Sequence, residues 1–111
     1  MAYKHILYEE KESIGILTLN NPAKRNALGR EAEEEIIECL KDAGQRCDAK
    51  VIILKAAGEI FCAGHDRKEI LNRPLSEIRR LFHTSGNMMM AIRHAPQCII
   101  AQVQGIAMAG G

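Results

Sequence analysis

The sequence predicts an α/β fold with a parallel sheet, and three observations carry that prediction. KVIILK (50–55) is an almost continuous apolar run of strand length, as in strands covered on both faces. Two long segments, 30–45 and 76–94, repeat apolar residues at helical steps of three and four. Strand-like and helix-like stretches also alternate, so the second helix lies between two apolar strands in a unit whose crossover is expected to be right-handed.

Taken in order, HILYEE (5–10) and GILTLN (15–20) read as short strands joined through Lys11, Glu12 and Ser13 as a hairpin. NNPAKRNALG follows as a turn, with Pro22 and two asparagines breaking the pattern. In segment 30–45, Ala32, Ile36, Leu40 and Ala43 give one apolar face, and Gly44 weakens the helix end. The run EAEEEIIE (31–38) reads as a solvated helix face. After KVIILK and a glycine turn, Asp66 to Leu71 is expected to form a short helix that Arg73-Pro74 ends. Ser76 is the expected cap of the next helix. Its stripe is Ile78, Leu81, Phe82, Ser85, Met89 and Ile92, and it stops at His94-Ala95-Pro96. QCIIAQVQG (97–105) then reads as a second buried strand.

Composition narrows the function. With 15 basic and 14 acidic residues the net charge is +1, which gives no electrostatic case for nucleic acid. Two Tyr, two Phe and no Trp leave no stacking platform for single strands. Acidic residues follow only a short apolar stretch at the N-terminus, unlike a signal peptide. No apolar run approaches the roughly 20 residues that span a bilayer. Cys39, Cys47, Cys62 and Cys98 form no CxxC pair, so four reduced thiols, three of them buried, are expected in a cytoplasmic protein. His5, His83 and His94 lack ligand-like spacing, and no metal is expected.

Two glycine turns raise the functional question. IFCAGHD (60–66) and GIAMAGG (105–111) each follow an apolar strand, the place where open parallel sheets bind ligands. If each turn opens a helix, its first N–H groups lack intrahelical partners. Two such turns would then offer donors to one developing negative charge, as in an oxyanion hole. The same glycines also fit tight turns with close helix packing, so the residues alone leave both readings open. Neither turn is a GxGxxG or GxxxxGK[ST] phosphate motif.

Three blocks, GILTLNNPAKRNAL, VIILKAAGEIFCAGHDRKEI and VQGIAMAGG, stand in one order along the chain. In these blocks the chain resembles the crotonase superfamily, the enoyl-CoA hydratase/isomerase family. Its HD pair resembles the branch named for an enoyl-CoA hydratase domain. The resemblance implies a superhelix of ββα turns, of which this chain holds the N-terminal portion. It implies an acyl-CoA thioester as ligand and no separate cofactor, coenzyme A being part of the substrate. It places the two oxyanion donors on the N–H groups of Ala63 and Gly110, which hold the thioester oxygen while an enolate forms. It places Ala63, Gly64, His65 and Asp66 in the substrate-contacting loop. It matches NPAKRNAL, with Lys24, Arg25 and Ala27, to the CoA-binding turn, the two cations being suited to phosphate.

The chain departs from the family pattern in places. The two glutamates of the family's hydratases would lie beyond Gly111, so the chain reads as truncated. An inactive acyl-CoA-binding or assembly module is therefore the alternative function. Arg67 replaces the family's leucine, and Ala109 the first of three glycines. His65 is either an acid or base near the thioester or a loop histidine bonded to backbone. Asp66 is read as a helix cap in preference to a catalyst. Cys62 is not read as a nucleophile, and Met88 to Met90 are read as packing, with Met89 in the core stripe. Half a superhelix leaves apolar surface uncovered, so a homo-oligomer is expected.

Overall fold

The computed structural model of the protein describes residues 2–111. Strand β1 (Ile6–Lys11) turns back into β2 (Ile14–Leu19) as an antiparallel hairpin with Ile6 opposite Leu19. The connection is only Glu12 and Ser13, at φ 53° and 67°, the left-handed pair that matches the twist of a hairpin. Helix α1 (Arg30–Arg46) follows a short 3-10 turn at Pro22–Lys24. It closes on Cys47, whose left-handed backbone returns its N–H to the Ala43 carbonyl at 2.9 Å.

Strand β3 (Val51–Ala56) lies parallel to β2, with Ile14 beside Val51. Helix α2 (Leu75–His94) then leads to β4 (Cys98–Ala101), parallel to β3. The four strands stand in chain order, β1-β2-β3-β4. The parallel strand–helix–strand unit read from the sequence is therefore present.

The core lies where α1 meets the sheet and α2. Ile36, Cys39, Leu40 and Ala43 of α1 pack with Leu17 and Leu19 of β2 and Ile52 of β3. Fully burying a side chain such as Ile52 contributes roughly 1.5–3 kcal/mol.

Several local readings need correction. Helix α2 is capped by Pro74, with Ser76 inside its first turn. Its buried residues are Leu81, Thr84, Ser85 and Met88, while Phe82 and Met89 are exposed. Thr84 is tolerated there because its hydroxyl bonds the Arg80 carbonyl at 3.0 Å, and Ser85 because its hydroxyl is taken up by the Glu33 carboxylate at 2.7 Å. Strand β4 is an edge strand with only Ile99 half-buried, because alternate residues of an edge strand turn outward. The segment after Asp66 forms only a 3-10 turn, Arg67–Glu69. Cys39 and Cys62 are buried, but Cys47 and Cys98 are exposed, so two thiols and not three are inside. No helix among the described residues is long and apolar enough to cross a membrane.

Candidate functional site

The loop after β3 is held from two sides. Asn26, buried at a left-handed φ of 55°, donates its side-chain amide to the Ala57 and Ile60 carbonyls, each at 2.9 Å. Its side-chain oxygen accepts the Asn21 N–H at 2.8 Å. Gln104 reaches the same loop, donating to the Ala56 and Gly58 carbonyls at 2.9 and 3.0 Å. Asparagine suits the first position because it tolerates φ > 0 and its amide satisfies loop carbonyls.

Cys62 and His65 each form an isolated parallel bridge, one to each of two neighbouring segments. On one side, Leu28 N–H bonds Gly64 O at 2.7 Å and Asp66 N–H bonds Leu28 O at 2.9 Å. On the other side, Cys62 N–H bonds Ile106 O at 3.2 Å and Met108 N–H bonds Cys62 O at 3.0 Å. Gly64, at φ 98°, lets the two turns touch. A Cβ there would lie 2.8 Å from Met108 O and 3.6 Å from Gly110 N. The two glycine turns are thus adjacent.

Which N–H groups remain open follows from this pairing. The expectation for Ala63 needs correction: its N–H donates to Arg25 O at 3.0 Å and is committed to holding the loop. Leu28 occupies the side that Gly64 O and Asp66 N–H face, so the intervening His65 N–H points the other way. Neither His65 N–H nor Gly110 N–H has an acceptor among the described residues. Sequence reasoning had passed over the His65 donor. No sequence signal marks it, because the direction of this N–H is set by the bridge between His65 and Leu28 and by the positive φ of Gly64.

Beneath these turns lies an apolar cavity of about 100 Å³, lined by Leu28, Phe61, Cys62, Met88, Gly110 and Gly111 among others. It is smaller than the roughly 300–1,000 Å³ of whole small-molecule sites and suits a short aliphatic segment. Cys62 does not serve as a nucleophile. Its thiol is buried and bonded to Asn26 O at 3.2 Å, and burial pushes it above the usual thiol range.

The polar wall was not anticipated. Glu33, read as part of a solvated face, is fully buried. It sits three and seven residues before Ile36 and Leu40, so helical spacing placed it on the apolar stripe. Its Oε2 accepts the Ser85 hydroxyl at 2.7 Å and lies 3.9 Å from His65 Nδ1. Burial pushes the Glu33 carboxyl above its ordinary value; the Ser85 hydroxyl and the His65 ring oppose that. The His65 ring makes no backbone hydrogen bond among the described residues. It stands edge-on to Phe82 with centroids 5.7 Å apart.

The remaining expected residues separate. Asp66 is a cap, its carboxylate accepting the Lys68 N–H at 3.0 Å. Lys24 and Arg25 are exposed beside the loop, and Ala27 is half-buried. Outside this region, His5, Glu31 and Glu35 place ligand-type atoms within 4.8 Å of one another. Glu35 there accepts the Lys4 and His5 N–H groups at 3.1 and 2.9 Å, so the cluster ties the N-terminal segment to α1.

The chain is similar to known proteins in sequence and fold. The chain is 38% identical over 106 residues to "Enoyl-CoA hydratase domain-containing protein 3, mitochondrial" of Danio rerio, covering 95% of this chain and 37% of that protein. The protein of the same name in Homo sapiens is 38% identical over 102 residues, covering 90% of this chain and 33% of that protein. The crystal structure of an enoyl-CoA hydratase/isomerase from Xanthobacter autotrophicus Py2 superposes with a TM-score of 0.90 at 32% identity, covering 98% of this chain and 42% of that one. The chain therefore spans about a third of the length of these curated relatives, with the crotonase fold. The cytoplasmic expectation is withdrawn, because these relatives are named as mitochondrial proteins. The profile of the enoyl-CoA hydratase/isomerase family matches residues 9–111, and the chain belongs to that family.

Proposed function

We propose that segments 61–66 and 105–111 form the thioester-oxygen site of an enzyme acting on enoyl-CoA or a related acyl-CoA. The observation that carries this reading is the pair of unpaired N–H groups, His65 and Gly110, on adjacent turns beside an apolar cavity. Two fixed donors aimed at one oxygen stabilise the negative charge of a thioester enolate more than the neutral carbonyl. The acyl chain enters the cavity. The coenzyme A phosphates meet Lys24 and Arg25, which are exposed on the turn that the Arg25 carbonyl ties to Ala63. Coenzyme A arrives as part of the substrate, and no separate cofactor takes part.

The test is Gly110→Pro in the full natural polypeptide, which removes one donor N–H. Turnover of an enoyl-CoA should fall by about 10²–10³ while its binding persists. Undiminished turnover in a folded Gly110→Pro protein would overturn the reading.

A further inference from the structure

The oxyanion reading uses only the backbone N–H of His65. Its ring is placed as well, and by different groups. On one side Nδ1 is buried without a hydrogen-bond partner among the described residues and lies 3.9 Å from Glu33 Oε2. On the other, Nε2 faces the second glycine turn: a Cβ built on Gly110 would sit 3.1 Å from it. Phe82 closes one edge of the ring, which is left only partly exposed. The carboxylate is fixed in turn. Ser85 donates to Glu33 Oε2 at 2.7 Å from α2, and Oε1 has no partner among the described residues. The other carboxylate acting on this pair is Glu69, itself held by the Arg30 N–H at 3.0 Å.

At 3.9 Å Glu33 makes no hydrogen bond to the ring and acts on it through charge, and a carboxylate behind one ring nitrogen favours the proton on that nitrogen. With Glu33 ionised, the proton of the neutral ring belongs on Nδ1, and the lone pair of Nε2 is turned toward the oxyanion end of the site. An imidazolium formed there would face a charge already in place, at no cost in reorganisation.

Resting on the thioester site proposed above, we propose that His65 is a base that removes a proton from C2 of the bound acyl group, with Glu33 as the residue that positions its ring. In this step the C2–H bond breaks and its proton bonds Nε2. The electron pair forms the C1=C2 bond of the enolate, and the negative charge moves to the thioester oxygen between the His65 and Gly110 N–H groups. Nε2 exchanges that proton with solvent water, and return of a solvent hydrogen from Nε2 to C2 regenerates the neutral imidazole. One residue then supplies both a donor to the oxygen and an acceptor for the proton.

The experiment uses the full natural polypeptide and hexanoyl-CoA in D₂O, with deuterium at C2 read by mass spectrometry. Calorimetry on the same samples gives the Kd. The wild type should exchange C2 hydrogen. His65→Gln keeps the backbone N–H and should bind hexanoyl-CoA with unchanged Kd, while exchange drops by about 10²–10⁴. Glu33→Gln should also lower exchange at unchanged Kd. Nitrogen-15 NMR of the imidazole should find the proton on Nδ1 in the wild type and a shift toward Nε2 in Glu33→Gln, a signature that a purely structural role for Glu33 would not produce. Exchange at the wild-type rate in His65→Gln, a wild type that binds without exchanging, or a wild-type ring protonated on Nε2 would each overturn the inference and leave the oxyanion site standing. A wild type that does not bind hexanoyl-CoA would overturn both.

Discussion

Ser85→Ala isolates one contact of a buried charge. The Glu33 carboxylate is completely shielded from solvent, and its single hydrogen bond is from the Ser85 hydroxyl at 2.7 Å. Without that hydroxyl, His65 Nδ1 at 3.9 Å remains beyond hydrogen-bond reach. A hydrogen bond to a charged group is worth about 1.5–3 kcal/mol, and Ser85→Ala should cost about that much near neutral pH. In a Glu33→Gln background the partner is neutral and the same change should cost only about 0.5–1.5 kcal/mol. The dependence on pH has a definite sign. Burial raises the Glu33 carboxyl above its ordinary 4.5, so the folded state binds this proton more readily than the unfolded one. The associated stability is present below 4.5 and is lost as pH rises through the raised value. Removing the Ser85 hydroxyl raises the carboxyl further, so the cost of Ser85→Ala should grow with pH across that window. Urea unfolding of the four variants of the double-mutant cycle, near neutral pH and near the ordinary carboxyl value, measures both effects. A cost below about 0.5 kcal/mol at neutral pH, or equal costs in both backgrounds, would refute the buried-charge account.

Other outcomes follow from the same structure. Asn26→Ala removes three hydrogen bonds that hold the loop, and denaturant unfolding should register a loss of roughly 2–4 kcal/mol. Gly64→Ala combines a φ of 98° with a Cβ 2.8 Å from Met108 O, and should cost more than about 2 kcal/mol. Gly86→Ala is its control: nothing lies within 4 Å of the new Cβ in mid-α2, and stability should rise by about 0.5–1 kcal/mol. With iodoacetamide under native conditions, peptide mapping should find Cys47 and Cys98 labelled first. Cys39, pushed up to about 11 by burial, and Cys62 should be protected, and the reverse order would contradict their placement.

What was legible in the sequence was the information carried by near neighbours. The hairpin, α1 and β3 announce themselves through period-two and period-3.6 apolar patterns, and each lies within a residue or two of its expected span. The stripe of α2 was misplaced because apolar residues flank it on both sides. Phe82 and Met89 stand one position from Leu81 and Met88, and the buried Thr84 and Ser85 look polar until their partners, the Arg80 carbonyl and the Glu33 carboxylate, are known. Glu33 hid within three consecutive glutamates, and its burial depends on a hydroxyl 52 residues away. The donor assignment failed at Ala63 for a similar reason. Both glycine turns were identifiable from composition, but the directions of the Ala63 and His65 N–H groups are set by pairing with Arg25 and Leu28 from a distant segment.

The order of the sheet bears on how the protein is made. Each strand pairs with the strand synthesised just before it, β1 with β2, β2 with β3 and β3 with β4. Among the described residues no strand has to be threaded between two that are already joined. Synthesis proceeds at about 5–20 residues per second, far slower than hairpin closure, so the first hairpin can form before α1 has left the ribosome. Every later strand then meets a ready edge. GIAMAGG is made after the loop it pairs with, so the glycine turn carrying Gly110 is laid onto a segment that its earlier neighbours have already shaped.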